Sequence, residues 1–268
     1  MVSIVLLTYN RADLVSRAVD GVLAQTVGDW ELIIVDNGST DRTQEVLAQY
    51  TDPRIRVYGL DSNRGAIAGG NAGLDHIRGA WFTCFNDDDE MVPDALEAML
   101  DCAGRTGATA VTCNCMDTTT GALAGVGPTH DCRLSPRETS RLRGEQWGLT
   151  RTSLLGDLRF DERVYGGNPG ILWTKINRNA RRYYLHRALR IYHTEGTDRE
   201  TLKLGRRGLR EKVKDFHFLG EDADYLNALR AVDSRRYIKT MLRVWAARLL
   251  HPLLQAASVC GMRTRRLS

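Results

Sequence analysis

Ala80-Trp81-Phe82-Thr83-Cys84-Phe85 runs without a charge into Asn86-Asp87-Asp88-Asp89-Glu90, and the reading of the chain turns on this junction. An uncharged, largely apolar run of this length reads as a buried strand, and a strand that ends in clustered carboxylates is a place to hold a cation. Neighbouring carboxylates repel one another, so a fold keeps them together where something positive offsets the cost, usually a hard divalent metal with oxygen ligands. The competing reading is an acidic turn that leads into a helix, with Asp89 or Glu90 near the helix start. The flanking sequence decides between them.

Upstream the strand pattern repeats. Val2-Ser3-Ile4-Val5-Leu6-Leu7 is a near-continuous apolar run closed by Thr8-Tyr9-Asn10-Arg11, as expected of a parallel strand buried on both faces. Residues 12–25 carry Leu14, Ala18, Val22 and Leu23 at helical spacing. Glu31-Leu32-Ile33-Ile34-Val35 is a second buried strand that stops at Asp36-Asn37-Gly38-Ser39-Thr40-Asp41, with Thr40 or Asp41 to cap a helix through Gln44, Leu47 and Tyr50. A third strand, Arg54 to Tyr58, leads to Asn63-Arg64-Gly65 and a helix over 66–77, whose small residues permit close approach of backbone or ligand.

Strands alternating with helices at this spacing imply a right-handed, doubly wound α/β sheet whose ligands bind beyond the carboxyl ends of the strands. The polar clusters at 8–11, 36–41, 63–65 and 86–89 then line one crevice, which lifts the acidic run above a plain turn. The Gly-x-Gly-x-x-Gly fingerprint is missing after the first strand, as is a Gly-x-x-x-x-Gly-Lys phosphate loop.

Taken in order, Thr8-Tyr9-Asn10-Arg11, Val35 to Asp41, Asn63-Arg64-Gly65 with Asn71-x-Gly73, and Asn86-Asp87-Asp88-Asp89 before Pro93-Asp94 resemble glycosyltransferase family 2, the inverting nucleotide-sugar transferases of GT-A fold. Phe160-Asp161-Glu162-Arg163 leading to Gly166-Gly167, and a strand ending in Tyr192-His193-Thr194-Glu195-Gly196, extend the likeness. The resemblance implies a catalytic domain over 1–198, with a nucleotide-binding half at 1–105 and an acceptor half at 106–198, and leaves a basic helical extension at 199–268 uncovered. It also implies a UDP-type sugar donor with Mg2+ or Mn2+ on its diphosphate, and an acceptor that nothing in the sequence names.

On that resemblance Thr8, Tyr9, Asn10, Arg11 and Asp36 hold the nucleotide, the Asp36 carboxylate accepting from the imide N–H that uracil has and cytosine lacks. Otherwise Asp36 is a turn residue before Gly38. Asn63, Gly65 and Asn71 shape the wall near the nucleotide and sugar. In the family's Asp-x-Asp signature the first Asp bonds the ribose and the last ligates the metal. Registering on Pro93 puts Asn86 first, Asp87 between and Asp88 last; a shift by one residue makes Asp87-x-Asp89 the motif instead. His193 resembles the family histidine that approaches the metal or diphosphate.

Two departures follow. Asn stands at the ribose place, where its amide still bonds a hydroxyl. Inverting transfer also needs a general base, which the family draws from an acidic pair after the glycine that follows Phe-Asp-Glu-Arg; here that place reads Gly167-Asn168-Pro169. Asn168 is thus the candidate catalytic position without a basic group, and Asp161 and Glu162 are the alternative carboxylates. Three readings stay open: an acceptor that needs no strong base, a base supplied by Asp161 or Glu162, or a protein that binds donor sugar without transferring it. Gly220-Glu221-Asp222 matches the missing acidic string but reads as a solvated helical face.

A chain of 268 residues that is 43% hydrophobic and 26% charged can bury a large core. Its formal charge of +4 suits an anionic ligand but does not argue for nucleic acid. No basic-then-apolar leader is seen, and the first apolar run falls far short of the ~20 residues a membrane helix needs, so the expectation is a cytoplasmic protein. Cysteines at 84, 102, 113, 115, 132 and 260 read as reduced, mostly buried thiols. A strand is expected over 108–116, a loop or hairpin region over 117–136, and Trp147 either stacks on an acceptor sugar or joins the core.

Leu202–Leu219 and Tyr225–Ser258 read as helical, with Ile238, Leu242, Trp245, Leu249 and Leu253 along one face and a break or kink at Pro252. With Arg235, Arg236, Lys239, Arg243, Arg248 and the Arg263-Thr264-Arg265-Arg266 tail, residues 225–266 form a basic amphipathic end. It is expected either to lie on the inner face of an anionic membrane or to pack against the catalytic domain or a second subunit.

Overall fold

A computed structural model describes residues 1–164, 170–194 and 208–264, with side chains to residue 255. The chain forms two compact units. The first comprises Met1–Phe160 and Asn179–Thr197, the second Asp161–Arg178 and Asp198–Ser268.

The first unit is a mostly parallel sheet with helices between its early strands. Strands β1 (Val2–Thr8), β2 (Trp30–Asp36), β3 (Ile55–Gly59) and β4 (Trp81–Asn86) alternate with helices α1 (Val15–Leu23), α2 (Thr43–Leu47) and α3 (Gly65–Leu74). After β4 come β5 (Glu90–Met91), α4 (Ala95–Thr106) and β6 (Ala110–Asp117). Next are β7 (Gly125–Val126), β8 (Cys132–Leu134), α5 (Pro136–Thr139), β9 (Arg143–Gly144), β10 (Gln146–Arg151) and, beyond α6 (Gly170–Asn179) of the second unit, β11 (Arg182–Tyr192). The sheet order is β3-β2-β1-β4-β10-β6-β11-β5, with β8 also on β11. The first four strands are mutually parallel.

Strands β1, β2 and β4 match their apolar runs, and every residue of β2 is buried, as a strand covered on both faces requires, whereas β3 is only partly buried. The strand order reverses between β1 and β4, which makes their carboxyl ends the switch point where a doubly wound sheet opens a crevice. Leu7 pairs with Asn86, so Thr8 emerges beside the acidic run. Helix α3 lies close on β1: a Cβ on Gly69 would fall 2.4 Å from Leu7 Cδ1, and one on Gly73 2.4 Å from Val5 Cγ1. The small residues of this helix therefore admit the protein's own strand.

Strand β10, which periodicity did not foresee, runs antiparallel between β4 and β6. It carries Trp147 into the core, 6% exposed, with its indole N–H on the Cys84 carbonyl (3.2 Å) and its ring edge-on to Phe85. Trp147 is thus a core tryptophan, because its one polar atom already has a main-chain partner. Cys113 and Cys115 are buried on β6, and the described cysteines are free thiols; burial pushes Cys84 and Cys115 up to about 12.

The second unit packs α6 with α7 (Leu209–Leu219), α8 (Ala223–Val232) and α9 (Ser234–Thr264) around Val164, Ile171, Leu219, Tyr225, Leu229 and Val244. The Glu221-Asp222 pair is more engaged than a solvated face. Asp222 caps α8 by accepting from the Tyr225 N–H (2.9 Å) and pairs with Lys175 at 2.7 Å. Helix α9 continues through Pro252, so the proline does not break it. Among the described residues no helix is long and apolar enough to cross a membrane.

Candidate active site

The loops after β1 and β2 are stitched together by side chains that their sequences place at fixed points. Asn10 adopts a left-handed conformation (φ 53°), which asparagine tolerates better than most residues. Its N–H donates to Ser39 Oγ (2.9 Å), and its Oδ1 accepts from the Thr40 N–H (2.8 Å). The Arg11 N–H donates to Thr43 Oγ1 (2.8 Å) and the Ala12 N–H to Asp41 Oδ2 (3.2 Å). Thr8 is buried, while Tyr9 beside it is 39% exposed and offers an open aromatic face.

Asp36 ends β2 almost wholly buried. Its Oδ1 accepts from the Ser39 N–H (3.0 Å), the turn role the sequence allowed, and its Oδ2 from Gln44 Nε2 (2.8 Å). Asn37 ties this loop to the next: its Nδ2 donates to Asn63 Oδ1 (3.1 Å) and the Gly65 carbonyl (3.2 Å), and its Oδ1 accepts from the Arg64 N–H (3.0 Å). Gly65 takes φ +84°, a conformation that favours glycine. Asn71 is 8% exposed and pairs with the backbone of Phe160, donating to its carbonyl (3.0 Å) and accepting from its N–H (2.9 Å). Both ends of that amide hold the chain at Phe160.

The acidic run divides its carboxylates. Asp89, at 0% exposure, faces Arg190 of β11: Nε donates to Oδ2 at 2.7 Å and Nη2 lies 2.5 Å away. Its Oδ1 accepts from the His193 N–H (3.0 Å), and Asn86 Nδ2 donates to its Oδ2 (3.0 Å). Burial pushes the Asp89 carboxyl upward, opposed by the neighbouring guanidinium. Strand β5 draws the run to this partner by pairing Glu90 with Ile191 and Met91 with Arg190. Asp87 lies 3.8 Å from Arg11 Nε; burial pushes it up to about 6, the Thr8 hydroxyl and Arg11 opposing, and Asp88 adding to the rise. His193 Nε2 is 4.0 Å from Glu90.

Asp88 differs from these neighbours. Arg17 Nη1 grips its carbonyl (3.1 Å), but among the described residues its carboxylate has no hydrogen-bond or ion-pair partner. Among the described residues no three His, Cys, Asp or Glu side chains converge as a metal cage. Mg2+ is usually held by one or two carboxylates together with substrate phosphates rather than by an all-protein cage, so an open Asp88 fits a cation that arrives with a diphosphate.

The catalytic candidates belong to the second unit. The Asp161 carboxylate is clasped by Arg163, with Nε at 2.9 Å from Oδ1 and Nη2 at 2.8 Å from Oδ2. Those bonds, stronger than the effect of its partial burial, hold its pKa below the ordinary carboxylate value, which weakens it as a base. Glu162 is exposed. Asn168, with Pro169, lies outside the described residues.

Sequence reasoning missed Asn37, Arg17 and Arg190 as organising residues. A charge within Leu189-Arg190-Ile191 was a signal of a buried partner, but its mate lies 101 residues away.

The family model for glycosyl transferase family 2 matches residues 3–152. The GalNAc(5)-diNAcBac-PP-undecaprenol beta-1,3-glucosyltransferase of Campylobacter jejuni is 32% identical over 210 residues, 75% of this chain and 67% of that enzyme. Other curated relatives match over less of their length, one at 39% identity over 31% of its own chain. The solved TarS fragment of S. aureus, known with UDP and with UDP-GlcNAc, superposes with TM-score 0.67 at 16% identity for the UDP complex, over 96% of this chain and 91% of that one. A Pyrobaculum calidifontis mannosyltransferase in complex with GDP-Man and Mn2+ gives TM-score 0.57 at 19% identity, over all of this chain and 80% of the other. At these identities the two structures speak for the fold.

Proposed function

The chain belongs to glycosyl transferase family 2, and from that premise we propose that it is a metal-dependent inverting transferase that moves a sugar from a UDP-type donor to a glycan or lipid-linked acceptor. The observation that carries the reading is the division of the acidic run: Asp89 is closed off by Arg190, while Asp88 stays open at the β1/β4 switch point. This arrangement favours the register Asn86-Asp87-Asp88 over Asp87-x-Asp89. The TarS complexes with UDP and UDP-GlcNAc support the donor class, the Mn2+ in the mannosyltransferase complex supports the cation, and the lipid diphosphate in the name of the Campylobacter enzyme supports the acceptor class.

In this reading Tyr9 stacks on the base. Asp36 reads the imide N–H through the second lone pair that each of its oxygens retains beside Ser39 and Gln44. Thr8, Asn10 and Arg11 hold the loop beneath the nucleotide, Asn63 and Gly65 form its far wall, and Asn71 acts by anchoring Phe160. Asn86 bonds a ribose hydroxyl. Asp88, with His193 as a second donor, would hold Mg2+ or Mn2+, and such an ion would supply positive charge to offset the negative charge developing on the diphosphate leaving group. Arg17 holds the Asp88 backbone through its carbonyl, leaving the carboxylate unengaged among the described residues.

An asparagine at 168 takes no proton, and Asp161 is committed to Arg163. The reading these facts favour is an acceptor whose nucleophile needs little help from a base, or a base at Glu162. They also favour a second reading, a nucleotide-sugar binder without turnover. Calorimetry of UDP with Mn2+ beside an assay of sugar transfer and donor hydrolysis separates the two. The transferase reading expects metal-dependent binding and turnover of UDP-sugar; tight UDP binding with no turnover of any donor would leave the binder.

A further inference from the structure

Helix α9 has two apolar faces, and its own unit uses only one. Thr240, Val244 and Ala247 are buried, as packing on the second unit's core demands. On the other side stand Ile238, Leu242, Trp245, Leu249 and Leu253, which are 54–66% exposed and spaced four, three, four and four residues apart, so they form one stripe along about four turns. Exposed apolar residues scattered singly need no explanation, but five large ones aligned on one helix face, one of them a tryptophan, mark a contact surface.

The charges beside the stripe say what it contacts. Arg235, Lys239 and Arg243 recur at four-residue spacing along one flank, with Arg236 beyond them, and all four are exposed. Between Ser234 and Thr264 there is no Asp or Glu, while Arg263, Arg265 and Arg266 extend the positive charge. A stripe paired face to face with its own copy would bring these like charges together with no carboxylate on the helix to offset them. An anionic surface gains from every one. We propose that this face of α9 docks on an anionic lipid bilayer, the apolar stripe entering the headgroup boundary and the flanking cations meeting lipid phosphates. The geometry is that of an interfacial helix, and the absence of a membrane-crossing helix among the described residues agrees with it. The inference rests on α9 alone and is independent of the donor chemistry.

Flotation of the full chain with vesicles tests it, using pure phosphatidylcholine and an equimolar mixture of phosphatidylcholine and phosphatidylglycerol. The protein is expected to float with the mixed vesicles and to stay below with the neutral ones. Leu242→Ser with Trp245→Ser should cut partitioning by roughly tenfold or more, and Arg235→Glu with Lys239→Glu by a similar factor. These side chains are exposed, so both variants should keep the wild-type melting temperature. No binding to the mixed vesicles, or binding that the Leu242 and Trp245 changes leave intact, overturns the proposal. A wild-type mass that doubles with concentration in light scattering, and returns to that of one chain with Leu242→Ser and Trp245→Ser, assigns the face to a second copy and also overturns it.

Discussion

The acidic run at the end of β4 and the acidic segment at 161–163 have similar composition and opposite states. In the first, Arg190 closes Asp89 while Asp88 is left open; in the second, Arg163 clasps Asp161 through both carboxylate oxygens. Carboxylates become chemically available according to which cations the fold has already assigned them. By that measure the proposed function assigns the cation and diphosphate to the β4 end, where Asp88 is open, and leaves Asp161 to the clasp of Arg163 within its own unit.

The sharpest way to break this comparison is to remove the open carboxylate. Asp88→Ala should lower kcat/KM by about a thousandfold or more, since charge stabilisation by a metal is worth several kcal/mol, and should leave the melting temperature nearly unchanged. Next comes the closed pair. Arg190→Met strands the Asp89 charge in the core and should cost about 3–5 kcal/mol in denaturant unfolding, a loss of fold rather than of chemistry alone. A variant that stays stable and loses only activity would move Asp89 into the machinery.

A third carboxylate calibrates these two. Glu31 lies between Ser3 Oγ (2.5 Å), the Arg78 N–H (2.7 Å) and Arg56 (2.5 Å); burial pushes it up, but these donors outweigh burial and hold its pKa below 4.5. A depressed carboxyl contributes stability above its unfolded value and loses it as pH falls through the folded one. The stability gap between wild type and Glu31→Gln should therefore be full above pH 4.5 and shrink on acidification. A gap that widens in acid would contradict the assignment. The smallest effect belongs to Asp161→Asn. If Asp161 is a brace, turnover should fall by less than about tenfold, whereas loss of a general base costs about a hundredfold or more.

The parallel strands were legible in sequence because burial on both faces leaves near-continuous apolar runs such as Glu31 to Val35. The convergence of the loops followed, since connection rules bring the ends of such strands together. Strand β10 was not legible: six residues containing Gln146, Gly148 and Arg151 show no clean period. Nor was the state of each carboxylate. Asp87, Asp88 and Asp89 are identical as letters, and what separates them is Arg11, Arg17 and Arg190, the last brought in only by the pairing of β5 with β11. Asn71 shows the converse, a motif residue whose amide is taken by a backbone 89 residues away. Pattern picked out the candidate residues, and tertiary pairing decided which of their groups are open.

The most direct test is calorimetric titration of UDP with Mn2+ into the wild type and Asp88→Ala. The open-carboxylate account expects metal-dependent binding in the wild type and its loss in the variant, with the fold intact by thermal melting. Equal, metal-dependent affinity in both proteins would contradict it.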